Sequence, residues 1–247
     1  MYYIMPPKKR KSKDNKIVNV HGMINFYELP KVKKFLPTSI NPNYNKHHIK
    51  VPFRGLLIGS SGSGKTNLFC NILEQFRDTF NHLYVYTQAP EPLYDFLNSQ
   101  LDSDVFTIKY GLQAYRDFKE ADFYGQSLVI FDDMVNEKDQ SCINNLYIRG
   151  RKIGVSMLYL TQSYFEVPKM IRLQCQYVFV VKVSGVRDLR LILSEYALTA
   201  TKSQLQNMYN YCCNQNIFGD VFTIDLNAPQ DKSFRLNFDT YLNISDF

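Results

Sequence analysis

Residues 54–69 read RGLLIGSSGSGKTNLF, an apolar run that enters a loop of glycines and serines and leaves it through a lysine. The loop from Gly59 to Thr66 matches the pattern G-x-x-x-x-G-K-[ST] in full. A buried-strand pattern precedes it, and an amphipathic helix pattern, NLFCNILEQF, follows it. Because flexible linkers are not flanked by such patterns, the stretch predicts a phosphate-binding loop between a strand and a helix.

This loop is expected to bind a nucleotide and a magnesium ion. Its glycines allow successive backbone N–H groups to point at phosphate oxygens, and the helix N-terminus adds a favourable dipole. Lys65 is expected to pair with the β and γ phosphates, and the Thr66 hydroxyl to sit on Mg²⁺. The predicted phosphate-binding residues are Gly59, Ser60, Ser61, Gly62, Ser63, Gly64, Lys65 and Thr66.

Short apolar runs alternate with helix-length segments along the rest of the chain. Strands that are apolar on both faces and separated by helices are typical of a parallel sheet covered on both sides, and so of an α/β fold. The predicted strands are residues 55–59, 82–87, 106–110, 127–133, 155–162 and 177–183. Two helices follow, at about 186–197 and 202–213, and then DVFTIDL and SFRLNF, which predict a C-terminal antiparallel β-hairpin.

The charge of the chain is unevenly distributed. The 247 residues carry a net charge of +6, and 45% of them are hydrophobic, as in a globular protein. Residues 1–50 hold 11 Lys and Arg against 2 Asp and Glu, whereas residues 51–247 hold 18 against 21. We therefore expect a basic, partly disordered arm over residues 1–50 and a folded domain over residues 51–247. The basic run from Lys8 to Lys13 fits phosphate contacts or a nuclear address, or else a solubilising tail.

Cysteine usage and hydropathy indicate a soluble intracellular protein. The five cysteines include no C-x-x-C pair, which favours neither a disulfide framework nor a zinc site. No apolar run approaches the ~18 residues that span a membrane. The start, MYYIMPPKKRKSK, lacks the apolar stretch of a secretory signal.

Two aspartates follow the apolar strand LVIF, at its predicted carboxyl end. Ligands gather at this edge of parallel sheets. Asp132 is expected to serve the Mg²⁺ ion, and Asp133 to orient and deprotonate an attacking water. Two acids here favour hydrolysis over phosphate transfer to a small substrate, although paired aspartates can also cap a following helix.

The next predicted strand, VSMLYLTQ, ends in Gln162 at the same edge. Gln162 is expected to be a sensor that hydrogen-bonds the γ phosphate or the attacking water. Just upstream, YIRGRKIG contains Arg149 and Arg151. In ring-shaped NTPases an arginine of one subunit stabilises the transition state in its neighbour, so Arg151 is the first candidate for this role and Arg149 the second. A solvated basic turn or a DNA-facing loop is the alternative for both.

The order GSSGSGKT, LVIFDD and RKIGVSMLYLTQ resembles the FtsK-HerA superfamily of ring ATPases, and within it the genome-packaging ATPases of virophages, poxviruses and other large DNA viruses. The likeness covers residues 51 to about 240, and the spacing of Arg151 and Gly154 before the strand is its most discriminating part. It implies a P-loop NTPase core of the additional-strand, RecA-like type, with the sensor strand between the P-loop and Walker B strands. It also implies hydrolysis of ATP with Mg²⁺, a homo-oligomeric ring of six or five subunits, and pumping of double-stranded DNA.

The same resemblance assigns roles and partners. It implies phosphate and metal binding for Lys65 with Thr66, metal binding for Asp132 and catalysis for Asp133. It implies sensing for Gln162 and the role of arginine finger for Arg151. A capsid or portal-vertex protein is an implied partner, and the implied location is the host cytoplasm or nucleus, or the virion. Most of the superfamily has Glu where this chain has Asp133, whose side chain is shorter by about 1.5 Å. Either the site is built around Asp or hydrolysis is slow, and Glu137 is a weak substitute candidate.

Three functions fit the sequence. The first is a DNA-translocating ATPase, whose activity is expected to rise with oligomerisation and with added duplex DNA. The second is a small-molecule kinase, which needs a lid with several arginines, whereas residues 184–247 offer Arg187, Arg190 and Arg235 without an obvious lid. The third is a non-enzymatic nucleic-acid-binding protein in which the basic arm binds and the loop serves the fold alone.

Overall fold

The computed structural model describes residues 22–36, 38–111, 123, 125–213 and 220–247. The basic run from Lys8 to Lys13 lies outside the described residues. The chain divides into two compact units, one ending at Thr38 and the other running from Ser39 to Phe247. In the first unit, a 3-10 turn at Phe26–Glu28 leads into the short helix α1 at Pro30–Lys33.

The second unit is built on one sheet, which has nine strands in the described residues. In chain order, β1 to β9 are Arg54–Ile58, His82–Thr87, Phe106–Tyr110, Ser127–Asp132, Ser156–Thr161, Tyr177–Val180, Phe222–Asp225, Phe234–Leu236 and Thr240–Tyr241. Their spatial order is β3-β2-β4-β5-β1-β6-β7-β8-β9. Strands β1 to β6 pair in parallel, and β7, β8 and β9 are added antiparallel. This strand order confirms the predicted mainly parallel sheet and the C-terminal hairpin. Strand β5 lies between β1 and β4. The sequence did not predict β9.

Helices cover both faces of this sheet. They are α2 (Tyr44–His47), α3 (Lys65–Gln75), α4 (Pro92–Gln100), α5 (Ser141–Arg149), α6 (Lys169–Gln174), α7 (Val186–Glu195) and α8 (Lys202–Cys213). Helix α8 starts with a capping box, because the Thr201 hydroxyl accepts from the Gln204 N–H at 3.2 Å and Gln204 Oε1 accepts from the Thr201 N–H at 3.0 Å. Across the described part of the chain, no helix combines the length and the apolar character needed to span a bilayer.

Strand β1 holds its position because its side chains are buried on both faces of the sheet. Leu56 and Ile58 belong to the core layer that contains buried residues of α5 to α8, whereas Leu57 belongs to the layer formed with α3 and α4. Side chains of a strand alternate between faces, so the successive buried apolar residues Leu56, Leu57 and Ile58 mean that both faces are covered. The chain therefore leaves β1 at a fixed point, where the phosphate-binding loop begins.

The segment before β1 also packs into the second unit. His47 and Ile49 are fully buried. The buried Arg235 guanidinium donates to the His47 carbonyl at 3.2 Å and forms an ion pair with Asp225 on β7. Burial is the main cause that lowers the pKa of His47 to about 4, so this imidazole is neutral near pH 7. The second compact unit thus begins before Val51, the residue at which the sequence predicted the start of the folded domain.

Candidate nucleotide-binding and catalytic site

The glycine-serine loop connects β1 to α3 at the carboxyl edge of the sheet. The Gly59 N–H donates to the Thr161 carbonyl at the end of β5 at 3.1 Å, and the Ser60 N–H donates to the Lys182 carbonyl just beyond β6 at 3.0 Å. The Ser60 hydroxyl in turn accepts from the Ser184 N–H at 2.7 Å. The start of the loop is therefore fixed between the two strands that flank β1.

The loop requires glycine at position 59 and at position 64. A Cβ on Gly59 would lie 2.1 Å from Val181 Cγ2 and 2.5 Å from Ser63 Oγ, so no side chain fits there. Gly64, directly before α3, has φ of +87°, in the left-handed region that favours glycine. Ser63 Oγ is buried and has no hydrogen-bond partner among the described residues. A tight loop with an unsatisfied buried polar atom fits the backbone cradle that a phosphate group requires.

Lys65 is the first residue of α3, and its side chain crosses the loop. It is 9% exposed, and its Nζ donates to the Ser60 carbonyl at 3.2 Å. Burial lowers the pKa of the ammonium, and the nearby Asp133 and Asp132 carboxylates raise it in part. The lysine charge is thus held over the loop and close to both predicted acids.

Asp132 is the last residue of β4 and lies in a mostly buried position. Its Oδ2 accepts a hydrogen bond from the hydroxyl of Tyr94, a fully buried residue of α4, at 2.7 Å. Burial raises the pKa of Asp132 to about 6; the Tyr94 hydrogen bond and Lys65 lower it, and Asp133 raises it. A carboxylate that has lost much of its hydration is a good ligand for a cation that arrives with the phosphates.

Asp133 and Gln162 are in contact, as expected for residues that follow two neighbouring parallel strands at one edge of a sheet. Gln162 Nε2 donates to Asp133 Oδ2 at 2.7 Å. Asp133 has φ of 53°, an uncommon left-handed conformation for a residue other than glycine, and its N–H donates to the Leu160 carbonyl at 3.2 Å. The other carboxylate oxygen, Oδ1, is buried and has no partner in the described part of the chain. One oxygen of Asp133 therefore remains for a ligand or a water.

Two adjoining clefts open around these side chains. The first, which we call the loop cleft, has a volume of about 380 Å³ and is lined by the loop together with Lys65 and Thr66. The second, the β2 cleft, has a volume of about 460 Å³ and is lined by the residues that follow β2. Both clefts are lined by Glu91, Asp132, Asp133 and Gln162. Within the described residues, Lys65 is the one cationic side chain that lines either cleft.

The described residues contain no cluster of three or more His, Cys, Asp or Glu side chains able to hold a metal ion. Asp132 and Thr66 nevertheless line the loop cleft together. Mg²⁺ is commonly bound through one or two carboxylates together with the phosphates of a substrate. The residues present fit an ion that is held jointly with a nucleotide.

The predicted arginines lie at the other edge of the sheet. Arg149 is the last residue of α5, and Arg151 lies in the 3-10 turn that follows, before β5 begins. Arg151 is near Arg54, the first residue of β1, whose pKa is lowered by burial and further by Arg151. The length of β5, about 20 Å, separates this edge from the clefts. The structure therefore does not bring either arginine to the site of its own chain, and Glu137 is likewise absent from the described lining of both clefts.

Three of the site residues that were not predicted come from one stretch of the chain. Tyr94, Glu91 and Gln88 belong to the stretch TQAPEPLY after β2, which matches no motif. Gln88 and Glu91 could have been found by the signal that predicted Gln162, namely a polar residue that follows a buried strand at its carboxyl end. Tyr94 carries no such signal, because a tyrosine in an amphipathic helix pattern predicts a core residue.

Comparison with sequences of known proteins gives matches to poxvirus proteins. The family model described as "Poxvirus A32 protein" matches residues 42–228. The "DNA packaging protein OPG160" of variola virus and that of vaccinia virus are each 28% identical to this chain over 182 residues. Each alignment covers 66% of this chain and 64% of the relative, so the chain spans less than two thirds of the length of these relatives.

Solved structures of viral packaging enzymes share the fold. The genome packaging NTPase B204 from Sulfolobus turreted icosahedral virus 2, in complex with ATP-gammaS, has a TM-score of 0.56 at 12% identity, covering 76% of this chain and 98% of that one. B204 from Sulfolobus turreted icosahedral virus, described as a DNA-packaging ATPase, has a TM-score of 0.53 at 14% identity, covering 80% and 98%. Because these sequence identities are low, the likeness shows the fold alone. That fold is the one that the sequence predicted, an NTPase core.

Proposed function

We propose that this chain, which belongs to the poxvirus A32 protein family, is an ATPase that drives double-stranded DNA into a viral capsid. The observation that carries the proposal is the assembly of Lys65, Asp132, Asp133 and Gln162 around one cleft beside a glycine-lined loop. A phosphate cradle, a metal-binding carboxylate, a second carboxylate and a polar sensor are the parts that nucleotide hydrolysis needs. The packaging role draws on the names of the relatives, and fold alone does not supply it.

In this proposal ATP binds with its phosphates over the loop between β1 and α3. The backbone N–H groups of the loop and the α3 N-terminus hold the phosphate oxygens, and Lys65 pairs with the β and γ phosphates. Thr66 and Asp132 hold Mg²⁺ together with those phosphates. When bound, Mg²⁺ neutralises part of the negative charge of the triphosphate.

Asp133 and Gln162 act on the attacking water. The hydrogen bond from Gln162 occupies Asp133 Oδ2, which leaves the buried Oδ1 to accept a hydrogen bond from water in the cleft. Because the Asp side chain is shorter than Glu by about 1.5 Å, the water must lie correspondingly closer to β4 than a glutamate would require. Gln162 can shift between Asp133 and the γ phosphate, which would couple the state of the nucleotide to the loop after β5.

A neighbouring subunit is proposed to complete the site. The transition state for phosphoryl transfer carries more charge than Lys65 and Mg²⁺ are placed to balance, and an arginine supplied in trans often fills this role. Arg151, or Arg149 as the second choice, lies at the opposite edge of the sheet and so can enter the cleft of the next subunit. Head-to-tail contacts of this kind close into rings, here of six or five subunits.

The remaining partners are proposed from the same role. Double-stranded DNA is the polymer moved, and a capsid or portal-vertex protein is the docking partner. The work would take place where virions assemble, in the host cytoplasm or nucleus.

The small-molecule kinase is less well supported. A kinase of this type needs arginines that close over the phosphates, yet the Arg187 guanidinium stacks 3.7 Å from the ring centre of Phe165, and Arg235 is buried against Asp225. The non-enzymatic alternative gives no functional role to the contact between Asp133 and Gln162. Neither alternative gains a specific observation of its own.

The test is a steady-state ATPase assay with and without linear duplex DNA. We expect measurable Mg²⁺-dependent turnover, a further increase with DNA, and loss of turnover in Lys65→Ala. Lys138→Ala, which removes an exposed lysine outside both clefts, is the matched control and is expected to behave as the parent. Turnover of the parent equal to that of Lys65→Ala would refute the hydrolytic function. Turnover without any response to DNA would refute the motor and leave an ATPase of another use.

A further inference from the structure

The chain that follows β2 enters the proposed catalytic site beside the two aspartates. Strands β2 and β4 pair in parallel, and Thr87, the last residue of β2, lies directly beside Asp132. Beyond this pair the two strands end together, and Gln88 and Asp133 are the residues that follow them. Gln88 and Glu91 both line the β2 cleft, and Glu91 also lines the loop cleft with Lys65.

The start of helix α4 is fixed at the site by two hydrogen bonds. Tyr94 donates its hydroxyl to Asp132 Oδ2 at 2.7 Å and its N–H to the Glu91 carbonyl at 2.9 Å. Glu91 occupies the N-cap position of α4, but its side chain makes no capping hydrogen bond. An ordinary structural role, a favourable interaction with the helix dipole, would not require the side chain to line a cleft.

Two buried polar atoms in the β2 cleft lack partners, and they are of complementary kinds. Gln88 Nε2 is a donor without an acceptor, and Asp133 Oδ1 is an acceptor without a donor, counting the residues that the structure describes. Both residues line the β2 cleft. Buried polar atoms are rarely left unsatisfied, and a water that accepts from an amide and donates to a carboxylate satisfies both. A water bound between them would lie beside the predicted catalytic acid.

We propose that Glu91 is a second catalytic carboxylate of this site and that Gln88 holds the attacking water. This inference rests on the proposed ATP hydrolysis. The oxygen of the water forms a bond to the γ phosphorus, and the bond from that phosphorus to the β–γ bridging oxygen breaks. ADP leaves with the bonding electron pair, and the proton released by the water passes to the Glu91 carboxylate. Asp133 accepts the second hydrogen bond of the water and keeps it in line.

The division of labour follows from how the two carboxylates are held. Asp133 has a short side chain, one oxygen of which is already bonded to Gln162. Glu91 has the longer side chain, lies in the loop between β2 and α4, and makes no capping hydrogen bond. A proton acceptor must reach the water as it attacks, which the freer and longer carboxylate does better. Glu91 thus supplies a proton acceptor to a site in which the residue after Asp132 is an aspartate, whose side chain is shorter than that of a glutamate.

The experiment compares the full-length parent with Glu91→Gln, which keeps the shape of the side chain and removes its charge. We expect kcat for ATP to fall by ~10²- to 10⁴-fold, the usual effect of losing a general base, while the affinity for a fluorescent ATP analogue with Mg²⁺ changes by less than about threefold. Gln88→Ala is expected to lower kcat by roughly tenfold at unchanged affinity, since it positions the water without taking the proton. Sodium formate is expected to restore part of the turnover of Glu91→Ala, which a merely structural role would not allow.

Asp95→Asn is the matched control. It removes a carboxylate from the same turn of α4, one that accepts a hydrogen bond from Tyr110 outside the clefts. We expect its kcat to equal that of the parent. The inference is overturned if Glu91→Gln keeps a kcat within about threefold of the parent while Asp133→Asn loses activity, or if its loss of kcat is matched by the loss of nucleotide affinity. If the parent itself turns over no faster than Lys65→Ala, the proposed hydrolysis fails, and this distinct result removes the inference with it.

Discussion

Replacing Asp132 by Asn is expected to make the nucleotide-free protein more stable while it removes function. Burial raises the pKa of this carboxyl group from its ordinary value of 3.8 to about 6. The folded protein therefore binds this proton more tightly than the unfolded chain does. The charged carboxylate lowers the free energy of unfolding above about pH 6, and this penalty disappears as the pH falls toward 3.8.

The size of the effect follows from the shift in pKa. A difference of about two units corresponds to roughly 3 kcal/mol of unfolding free energy at pH 7.5. For a chain of this length that energy corresponds to a rise in Tm of about 6–12 °C in Asp132→Asn. The asparagine is neutral, and its carbonyl oxygen can still accept the hydrogen bond from the Tyr94 hydroxyl, so the packing is kept.

The assay is urea unfolding of parent and variant, followed by circular dichroism from pH 4 to pH 8. The difference between the two proteins isolates Asp132 from every other titrating group, and we expect it to be largest above pH 6 and close to zero at pH 4. Addition of Mg²⁺ and ATP is expected to stabilise the parent and to have less effect on the variant, because stabilisation by a ligand follows its affinity. A variant less stable than the parent at pH 7.5, or a difference independent of pH, would refute the reasoning.

Three further changes test other contacts of the site. Gly59→Ala is expected to lower Tm and to weaken binding of a fluorescent ATP analogue at least tenfold, because a Cβ would lie 2.1 Å from Val181; unchanged binding would show that the loop can move. Tyr94→Phe is expected to move the pH midpoint of the Asp132 effect upward, since it removes a hydrogen bond that lowers this pKa; unfolding curves at several pH values measure it, and a downward shift would contradict it. Arg151→Ala and Lys65→Ala are each expected to be inactive, and mixing them is expected to restore part of the ATPase rate; an active Arg151→Ala protein would exclude the arginine finger.

The sequence predicted the parts of the site that depend on local pattern. Gly59 to Thr66 could be predicted as a loop between a strand and a helix because its motif and the apolar patterns on both sides are local features of the sequence. Asp132 and Gln162 could be predicted because parallel strands end at a common edge, so residues far apart in sequence become neighbours. The contact of Gln162 with Asp133 at 2.7 Å is the observed result of that rule.

The parts that escaped prediction depend on tertiary packing. The hydroxyl of Tyr94 donates to Asp132, a residue 38 positions away, and no spacing in the sequence encodes that contact. The early start of the compact unit depends on the carbonyl of His47 meeting Arg235, a residue 188 positions away. Contacts of such long sequence separation leave no periodicity, so the sequence expectation there rested on composition alone.

The charges of the site explain why the proposed hydrolysis would depend on assembly. Among the described residues, the two clefts are lined by four acids and by a single lysine, Lys65. The acids are Glu91, Asp132, Asp133 and Glu166. A triphosphate adds further negative charge, so tight binding requires Mg²⁺, and the transition state requires another cation beside the γ phosphate. An arginine about 20 Å away at the opposite edge of the same sheet cannot serve this purpose in its own subunit. If subunits pack head to tail, each supplies that cation to the next, and a free subunit would bind ATP but hydrolyse it slowly. ATP would then be consumed where the ring has formed, which is the condition that a packaging motor needs.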